Sequence, residues 1–430
     1  MEKITLNQIE KKENRIAYRF SVTPGLDRFF SGEPFVIEYS ESIEEVPDGV
    51  AAVPFVGTIL PLVWLTDAVL ELKELDRDFY DCIPRVRKGY EAMFPYVDFR
   101  GSLQVKQILD FSVSGTTGAA LLFSGGLDAV SSLTAHIREK PALISIWGAD
   151  VPYQAEEGWN QVYRGIAEYK NQYGLPGCVI HSSFRDFDRE PVLTETFREK
   201  MQDGWWHGLK HALSLLCHVA PYTYLHRMER VYIASSFTKA DEPITCASSP
   251  YTDNEVRFAG TRVCHDGYAF NRLGKIHNVV SYVNETGNAV HLHVCWQSVN
   301  GFNCCRCEKC YRTMAGLIAE GADPVDYGFE DAHAGMRKMQ SLLAWEGSRN
   351  GIIKARWGSI QERVLQNEAQ IQKTAYWKDM KFLKELDFTK ENPVPVPLSD
   401  RIRGRLGEIP FYQMLHRMKM RVLHREDEDA

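Results

Sequence analysis

The fold is decided by residues 119–130, which read AALLFSGGLDAV. The apolar run at 119–123 has the length and composition of a buried strand, and residues 124–126 follow it as a turn. A helical pattern then covers residues 129–138. A buried strand that leads through two glycines into a helix is typical of α/β proteins, in which parallel strands alternate with helices.

The same alternation continues toward the C-terminus. The pattern predicts strand 142–147, helix 156–173, strand 178–181, helix 206–227 and strand 231–235. Strands that are connected by crossover helices form a parallel sheet with both faces covered. We therefore predict an α/β fold with a doubly wound parallel sheet, whose ligands bind beyond the carboxyl ends of the strands.

The glycine turn has the chemistry of a phosphate site. Gly125 and Gly126 carry no Cβ, so their backbone can approach a phosphate closely, and the amides at the helix start, including that of Leu127, can donate to it. Ser124 adds a hydroxyl donor. Asp128 would repel a bare phosphate, which favours a role as a Mg²⁺ ligand. The alternative is a tight turn that needs two glycines for its backbone alone.

This segment resembles the signature Ser-Gly-Gly-x-Asp-Ser of the PP-loop ATP pyrophosphatases, and the resemblance extends over residues 115–319. It implies the HUP-like fold of that family and cleavage of ATP between its α and β phosphates. Residues 124–128 would hold the pyrophosphate, and Trp147, after the second strand, would border the adenine and ribose. The alternative for Trp147 is an ordinary core position. One position departs from the signature, because Ala129 replaces its final serine and removes a hydroxyl donor. Ser131 or Ser132 is a candidate to replace it.

Four cysteines form a second pattern, Cys295-x8-Cys304-x2-Cys307-x2-Cys310. Two-residue gaps suit the turns that wrap a tetrahedral Zn²⁺, and four thiolates leave no open position, so the ion would be structural. Cys305 does not fit the pattern and is interpreted as a bystander. The spacing is similar to that of the 7-cyano-7-deazaguanine synthases, which carry a structural zinc after a PP-loop core. The alternative is a set of free thiols.

The long polar stretch between residues 235 and 295 lies where a substrate would meet the ATP. Lys239 or Arg257 could clamp a carboxylate or a phosphate. Glu242, His265 or Asp266 could act as general base. For each residue taken singly, a solvated loop side chain is the more common outcome.

Two histidines lie farther from this stretch. His207 and His211 begin the helix after the third strand of the core and are candidates to face the site, although core or surface positions are more common for such residues. The overall layout is also similar to that of the UDP-N-acetylmuramoyl-L-alanyl-L-glutamate epimerases, through Ser235-Ser236 and Glu255-Val256-Arg257. That resemblance implies ATP-dependent activation of a carboxylate.

The leading hypothesis is an enzyme that adenylates a carboxylate of a small molecule, peptide or sugar nucleotide, for amidation, nitrile formation or epimerisation. Its cofactors would be ATP, Mg²⁺ and structural Zn²⁺. One alternative is a nucleotide-binding regulatory or assembly protein without catalysis, which Ala129 favours. Another is a tRNA-modifying PP-loop enzyme.

Composition narrows the class of protein. The chain has 430 residues, a net charge of −7 and 44% hydrophobic residues. This acidic balance argues against a general nucleic-acid binder. No apolar leader follows Met1, and clustered cysteines suit a reducing compartment, so we expect a cytoplasmic protein. A small-molecule or peptide substrate is the expected partner. The sequence leaves open whether the chain forms a homo-oligomer.

Three regions are expected along the chain. Residues 1–112 would form an N-terminal accessory α+β domain, with strands near 16–20 and 35–39 and a helix over 60–75. Residues 113–330 would form the PP-loop domain, including the cysteine cluster at 295–310. Residues 331–430 would be helical with a basic tail. That tail is interpreted as a packed helix, with contact to a membrane surface as the less favoured alternative.

Overall fold

The structure, a computed structural model, describes residues 2–112, 115–241, 245–295, 301–346 and 351–387. Two compact units divide the chain, Met1–Asn303 and Cys304–Ala430. Within the described residues, the first unit contains all the strands and the second is helical. The basic tail lies outside the described residues.

The first unit is built around a single sheet of eleven described strands. In chain order these are β1 (Lys3–Lys12), β2 (Arg15–Val22), β3 (Phe35–Tyr39), β4 (Val69–Asp76), β5 (Ser102–Leu109), β6 (Ala119–Leu122), β7 (Ala142–Trp147), β8 (Gly177–Ser182), β9 (Arg230–Ala234), β10 (Arg257–Phe258) and β11 (Thr261–Asp266). Their order across the sheet is β10-β11-β9-β6-β7-β8-β3-β2-β1-β4-β5. Most of the pairs are parallel, so the expectation of an α/β protein with a largely parallel sheet is confirmed.

Five neighbouring strands, β11-β9-β6-β7-β8, are all parallel to one another. The chain starts this block in its middle at β6, moves outward through β7 to β8, and then crosses back to β9 and β11. The direction of winding therefore reverses between β6 and β9. In open α/β sheets the loops that leave two such strands diverge, and the crevice between them is the usual place for a ligand.

The N-terminal strands belong to the same sheet. Strand β3 pairs antiparallel with β8, with Ile37 opposite Ser182, and β2 and β1 continue antiparallel from β3. Strands β4 and β5 then add a second parallel group beside β1. Residues 1–112, which we expected to form an accessory domain, thus extend the sheet of the following region without a break.

The first unit contains eleven described α-helices. They are α1 (Pro24–Asp27), α2 (Asp48–Ala51), α3 (Val53–Thr66), α4 (Arg77–Met93), α5 (Leu127–His136), α6 (Glu156–Tyr173), α7 (Glu190–Met201), α8 (His211–His218), α9 (Ala220–Leu225), α10 (Pro250–Asp253) and α11 (Arg272–Thr286). A π-helical turn, Trp206–Lys210, precedes α8. The helix expected over 206–227 is therefore divided into three parts, which are the π-helical turn, α8 and α9.

The helix expected over residues 60–75 is wrong in its second half. Helix α3 ends at Thr66, because Asp67 adopts a left-handed conformation (φ 52°) and its amide caps the Val63 carbonyl. The chain then forms β4, in which Leu70 and Leu72 are buried and Lys73 is exposed. Leucines spaced by three and four residues had suggested one helix, whereas the last of them belong to a half-buried strand.

The second unit contains helices α12 (Glu308–Ala319), α13 (Ala332–Glu346), α14 (Gly351–Gln366), α15 (Glu368–Ile371) and α16 (Trp377–Met380). Helices α12 and α14 are joined by polar contacts: Trp357 Nε1 donates to Glu308 Oε1 at 3.2 Å, and Arg363 binds both Glu320 oxygens at 2.7 and 2.9 Å. Among the described residues, no helix has the length and apolar character needed to cross a membrane.

Candidate functional site

The glycine turn joins β6 to α5 at the point where the winding of the sheet reverses. Phe123 extends the strand, since its amide donates to the Ile144 carbonyl at 2.8 Å. Gly125 has φ +74°, a conformation that favours glycine, and Gly126 occupies the N-cap position of α5. Because Gly126 has no side chain to accept a hydrogen bond, the amides of the first helical turn face the crevice without a side-chain cap from this position.

The two glycines differ in what the fold demands of them. Gly126 has φ −69° and ψ 158°, which any residue can adopt. A Cβ on Gly126 would lie 3.4 Å from Ser124 Oγ and 3.5 Å from the His293 carbonyl, which are ordinary contacts. A side chain at 126 is therefore compatible with the backbone and with these neighbours. An anion that approaches the turn closely would account for glycine at this position.

A buried lysine connects the glycine turn to the neighbouring strand. Lys275 Nζ, on α11, lies 2.9 Å from Asp128 Oδ1 in the first turn of α5, and it also donates to the Ser235 carbonyl after β9. The Lys275 side chain is 2% exposed and that of Asp128 is 23% exposed. One ammonium thus links the two loops that diverge between β6 and β9, while the Asp128 carboxylate keeps part of its surface toward solvent.

The other residues of the turn and of the first part of α5 differ in their exposure and contacts. Ser124 is exposed at the turn, and Leu127 is buried in the first turn of α5. Ala129 is buried, and the hydroxyl of Ser132 donates to Asp266 Oδ2 at 2.6 Å. Ser132 is thus engaged on the side of β11 and is poorly suited to replace the hydroxyl that Ala129 lacks.

Asp266 has a structural environment rather than the position of a general base. Its Oδ1 lies 3.0 Å from Nε2 of His136, whose Nδ1 lies 2.9 Å from Glu139. Burial disfavours the charged form of His136, but the hydrogen bonds to Asp266 and Glu139 outweigh this effect and raise its pKa. The imidazole also stacks on Tyr232, with ring centroids 4.0 Å apart. These contacts fasten α5 to β9 and β11.

A cavity of about 340 Å³ opens beyond the carboxyl ends of β9 and β11. Ser235, at the end of β9, lines this cavity, and its carbonyl accepts the hydrogen bond from Lys275. Lys275 therefore connects the cavity wall at Ser235 to Asp128, which lies just after the glycine turn. The surface of the cavity is mainly apolar, with polar groups among it, and its lining residues are Ala92, Met93, Ser235, Phe237, Thr238, Asp241, Thr245, Cys246, Ser248, Ser249, Pro250, Tyr251, His265 and Tyr268.

Among the described residues that we proposed as clamp or general base, His265 lines this cavity. Its Nδ1 lies 2.8 Å from Asp253 Oδ2, and both side chains are almost fully buried. Ser248 donates to the same carboxylate oxygen at 2.8 Å. Because Asp253 fixes Nδ1, the imidazole is held in one orientation, as a general base requires.

Lys239 and Arg257 do not line this cavity. Lys239 is exposed in a short 3₁₀ turn, Lys239–Asp241. Arg257, on β10, directs its guanidinium to the carbonyls of Asn254 and Val256 at 2.7 and 2.8 Å, which is a structural use of this side chain. Glu242 lies outside the described residues.

Trp147 ends β7 and takes part in an aromatic stack. Its ring lies 3.7 Å from that of His181 and 5.6 Å from that of Trp159, both nearly parallel to it. The indole Nε1 donates to the Pro152 carbonyl at 2.8 Å. Tyr153 extends the stack on His181 at 4.0 Å. These contacts hold Trp147 at the carboxyl end of β7, on the same sheet edge as the glycine turn.

The four cysteines of the second pattern come together. The sulfur atoms of Cys295, Cys304, Cys307 and Cys310 all lie within 4.8 Å of one another. Four sulfurs bound tetrahedrally at about 2.3 Å from a zinc ion would be about 3.8 Å apart, so the donor set fits such an ion. Cys305 is not part of the group, although it is buried beside the others. The clustering that the spacing predicted is confirmed.

Lys275 and Asp253 were not recognised from the sequence as parts of the site, because each contacts a residue that is not its neighbour in the chain. Lys275 is 147 residues from Asp128, and Asp253 is 12 residues from His265. The available signal for Lys275 was its place among Ile276, Val279 and Val280, since a lysine on the buried face of a helix needs a partner. Comparisons with protein-family models, with curated proteins and with solved structures found no match.

Proposed function

We propose that this protein binds Mg-ATP at the glycine turn and adenylates a carboxylate, with release of pyrophosphate. The observation that carries the proposal is the place of the turn, at the carboxyl end of β6 where the winding of the sheet reverses. The resemblance of residues 124–128 to the PP-loop signature supplies the reaction type.

Each described group has a role in this reaction. The amides after Gly125 and Gly126, with the Ser124 hydroxyl, would bind the departing pyrophosphate. Asp128 would hold a Mg²⁺ ion, which neutralises phosphate charge when it is bound. Lys275 keeps the Asp128 carboxylate in place. The carboxylate substrate would occupy the 340 Å³ cavity, where His265 could remove a proton from an attacking amine or from the carbon beside the activated carbonyl.

Calorimetry with Mg-ATP tests the binding step. We expect binding by the wild-type chain and a loss of about 100-fold or more in affinity for Gly126→Val, because the new side chain fills the space next to the amides. Gly165→Ala, in the middle of α6 with nothing within 4 Å of the new Cβ, is the matched control and should bind normally. If Gly126→Val binds Mg-ATP as tightly as wild type, the phosphate site lies elsewhere.

The chemical step needs a separate measurement. With a panel of carboxylic acids and hydroxylamine as the trapping amine, phosphorus NMR should show AMP and pyrophosphate, and mass spectrometry should show the hydroxamate. ADP and phosphate would contradict cleavage between the α and β phosphates. Binding of Mg-ATP with no cleavage across the panel would instead favour a regulatory nucleotide-binding protein, which the buried Ala129 supports as the second candidate. A gel shift with tRNA tests the tRNA-modifying alternative.

We also propose that the cysteine cluster holds a structural zinc ion. Elemental analysis of the purified chain should give one zinc per chain, and Cys307→Ser should lose most of it and lower the melting temperature, because metal binding contributes to folding. Cys305→Ser is the matched control, since Cys305 lies in the same turn outside the cluster. Equal zinc content in the two variants would contradict the proposed ligand set.

A further inference from the structure

One cysteine of the cavity is separate from the zinc pattern. Cys246 lines the 340 Å³ cavity together with Ser235, Ser248 and His265, and 7% of its surface is exposed. It follows the described turn after β9 and precedes α10. A thiol in this position lies in the cavity that we propose for the carboxylate substrate.

A histidine lies beside this thiol. The amide of Ala247, the residue after Cys246, donates to the His207 carbonyl at 2.8 Å. The His207 ring also contacts the ring of Phe237 edge to face, with centroids 6.1 Å apart, and Phe237 lines the cavity. His207 belongs to the π-helical turn Trp206–Lys210, an irregularity that is frequent at functional sites.

The imidazole is oriented by a carboxylate. His207 Nδ1 lies 2.7 Å from Asp203 Oδ2, and the other oxygen of Asp203 accepts the Gly204 amide at 2.7 Å. With Nδ1 occupied, Nε2 is the nitrogen that can exchange a proton with the thiol. Hydrogen bonds to Asp203 and then to Cys246 raise the pKa of His207 to about 10, against the opposing effect of burial.

We propose that Cys246, His207 and Asp203 form a nucleophilic thiol site in this cavity, which accepts an acyl group as a thioester. Cys246 is the nucleophile, His207 is its acid and base, and Asp203 is a positioning residue. The arrangement of thiol, imidazole and carboxylate is the one by which acyl-transferring enzymes activate a cysteine. The source of the acyl group rests on the proposed function, in which a carboxylate is adenylated at the glycine turn.

The reaction balances without an oxidant or a further cofactor. The Cys246 sulfur attacks the acyl carbon, a C–S bond forms, and the bond from that carbon to the AMP oxygen breaks, so that AMP leaves with the electron pair. An amine then attacks the thioester and the C–S bond breaks. His207 Nε2 takes the thiol proton in the first step and returns it to the Cys246 sulfur when the C–S bond breaks. The amine gives its own proton to His265, the base proposed above, from which it passes to solvent, and the net products from the adenylate are the amide, AMP, one proton and the regenerated site.

The first experiment measures the reactivity of each cysteine with iodoacetamide, by peptide mapping of the intact native chain. Cys264 is the comparison, because it is more exposed than Cys246 while burial raises the pKa of its thiol. We expect Cys246 to react faster than Cys264, and His207→Gln to slow Cys246 by about tenfold or more. Faster reaction at Cys264, or an unchanged rate in a folded His207→Gln variant, overturns the proposal.

The positioning role of Asp203 is tested by the alkylation rate of Cys246, which a purely structural role of Asp203 would not change. Asp203→Ala should slow alkylation of Cys246, and Asp203→Glu should restore part of the rate because it keeps a carboxylate within reach of Nδ1. Equal rates in the two variants would contradict a positioning role. Cys264→Ser is the matched control and should leave the rate at Cys246 unchanged.

The second experiment uses p-nitrophenyl acetate as an activated acyl donor with the wild-type chain, which avoids any folding defect. We expect a burst of about one p-nitrophenolate per chain, with the acetyl group on Cys246 and removable by hydroxylamine. Acetylation elsewhere, or no burst, overturns the proposal. Neither experiment contains nucleotide, so their failure leaves the proposal of Mg-ATP binding standing, and failure of Mg-ATP binding leaves these results interpretable.

The origin of the acyl group is tested with a free carboxamide. Adenylation as the source predicts that glutamine or asparagine gives no ammonia, and that a thioester on Cys246 forms from a carboxylic acid of the panel when Mg-ATP is present. Ammonia release that disappears in Cys246→Ser would overturn the adenylate as the source.

Discussion

Helices α4 and α5 both follow a parallel strand of the same sheet, but their first turns are completed differently. Helix α4 starts after Asp76, whose Oδ2 accepts the Phe79 amide at 3.0 Å and the Ala259 amide at 2.8 Å. Helix α5 starts after Gly126, which offers no acceptor. The chain supplies a carboxylate at the N-cap of α4, the closed helix start, and no side-chain acceptor at the N-cap of α5, the open helix start.

The closed helix start has a structural task. Ala259 and Gly260 form the turn of the β10–β11 hairpin, and their amides bind Asp76 and Asp78. Asp76 is fully buried, and its Oδ1 has no hydrogen-bond partner among the described residues. Burial raises the pKa of Asp76 to about 6, despite the two amide donors. The comparison teaches that a helix start used for architecture can carry a capping carboxylate at its N-cap, whereas an N-cap glycine at a sheet crevice is suited to a ligand.

The largest effect is expected at the lysine that fixes the open helix start. Lys275→Met removes the ammonium beside Asp128 and the donor to the Ser235 carbonyl, and it should lower the free energy of unfolding by roughly 3–5 kcal/mol. Denaturant unfolding measures this change. The double variant Asp128→Asn, Lys275→Met should recover part of the loss, because the group that faced the ammonium is then also uncharged. A loss below about 0.5 kcal/mol would mean that the ion pair is not stabilising the site.

The closed helix start predicts a pH effect of intermediate size. The folded-state pKa of Asp76 is raised to about 6 from an unfolded value near 3.8. The folded state therefore binds the proton more tightly, and stability from this group is lost as the pH rises from about 4 to 6, by about 3 kcal/mol. Asp76→Asn stays neutral and keeps an acceptor for the amides. Its stability relative to wild type should increase over this interval, as measured by unfolding at several pH values. A constant difference would contradict the raised pKa.

The smallest expected effect comes from making the open start resemble the closed one. Gly126→Asp places a carboxylate at the N-cap of α5 and should stabilise the fold by a few tenths of a kcal/mol, up to about 1 kcal/mol. The same variant should bind Mg-ATP weakly, because the new carboxylate competes with phosphate and repels it. Thermal unfolding and calorimetry measure the two effects. Improved stability together with normal Mg-ATP affinity would contradict the contrast between the two helix starts.

Much of the parallel block could be read from the sequence. The predicted strand 142–147 and helix 156–173 match β7 and α6 at both ends, because uninterrupted apolar runs and helical periodicity are local signals. The glycine turn was also readable, since a strand, two glycines and a helix are adjacent in the chain. The cysteine cluster followed from spacing alone.

Other features depend on contacts between distant residues and left little trace in the sequence. The pairing of β3 with β8 unites two regions that composition had separated, and a strand does not reveal its partner. Arg257 was chosen for its charge, although the carbonyls of Asn254 and Val256 occupy it. His207 was noted as a candidate, whereas Cys246 and Asp203 were not, because the segment of Cys246 meets the π-helical turn through a contact between distant residues, the Ala247 amide and the His207 carbonyl.

The position of β3 in the middle of the sheet also governs the order in which the chain can be assembled during synthesis. Val36 of β3 donates to the hydroxyl of Ser183, a residue 147 positions later. Until β8 has left the ribosome, β3 is an edge with unpaired amides and carbonyls, and such edges invite pairing with other chains. The N-terminal strands should therefore be vulnerable to aggregation while the chain is incomplete, and fragments that end before residue 177 should depend on chaperones to stay monomeric.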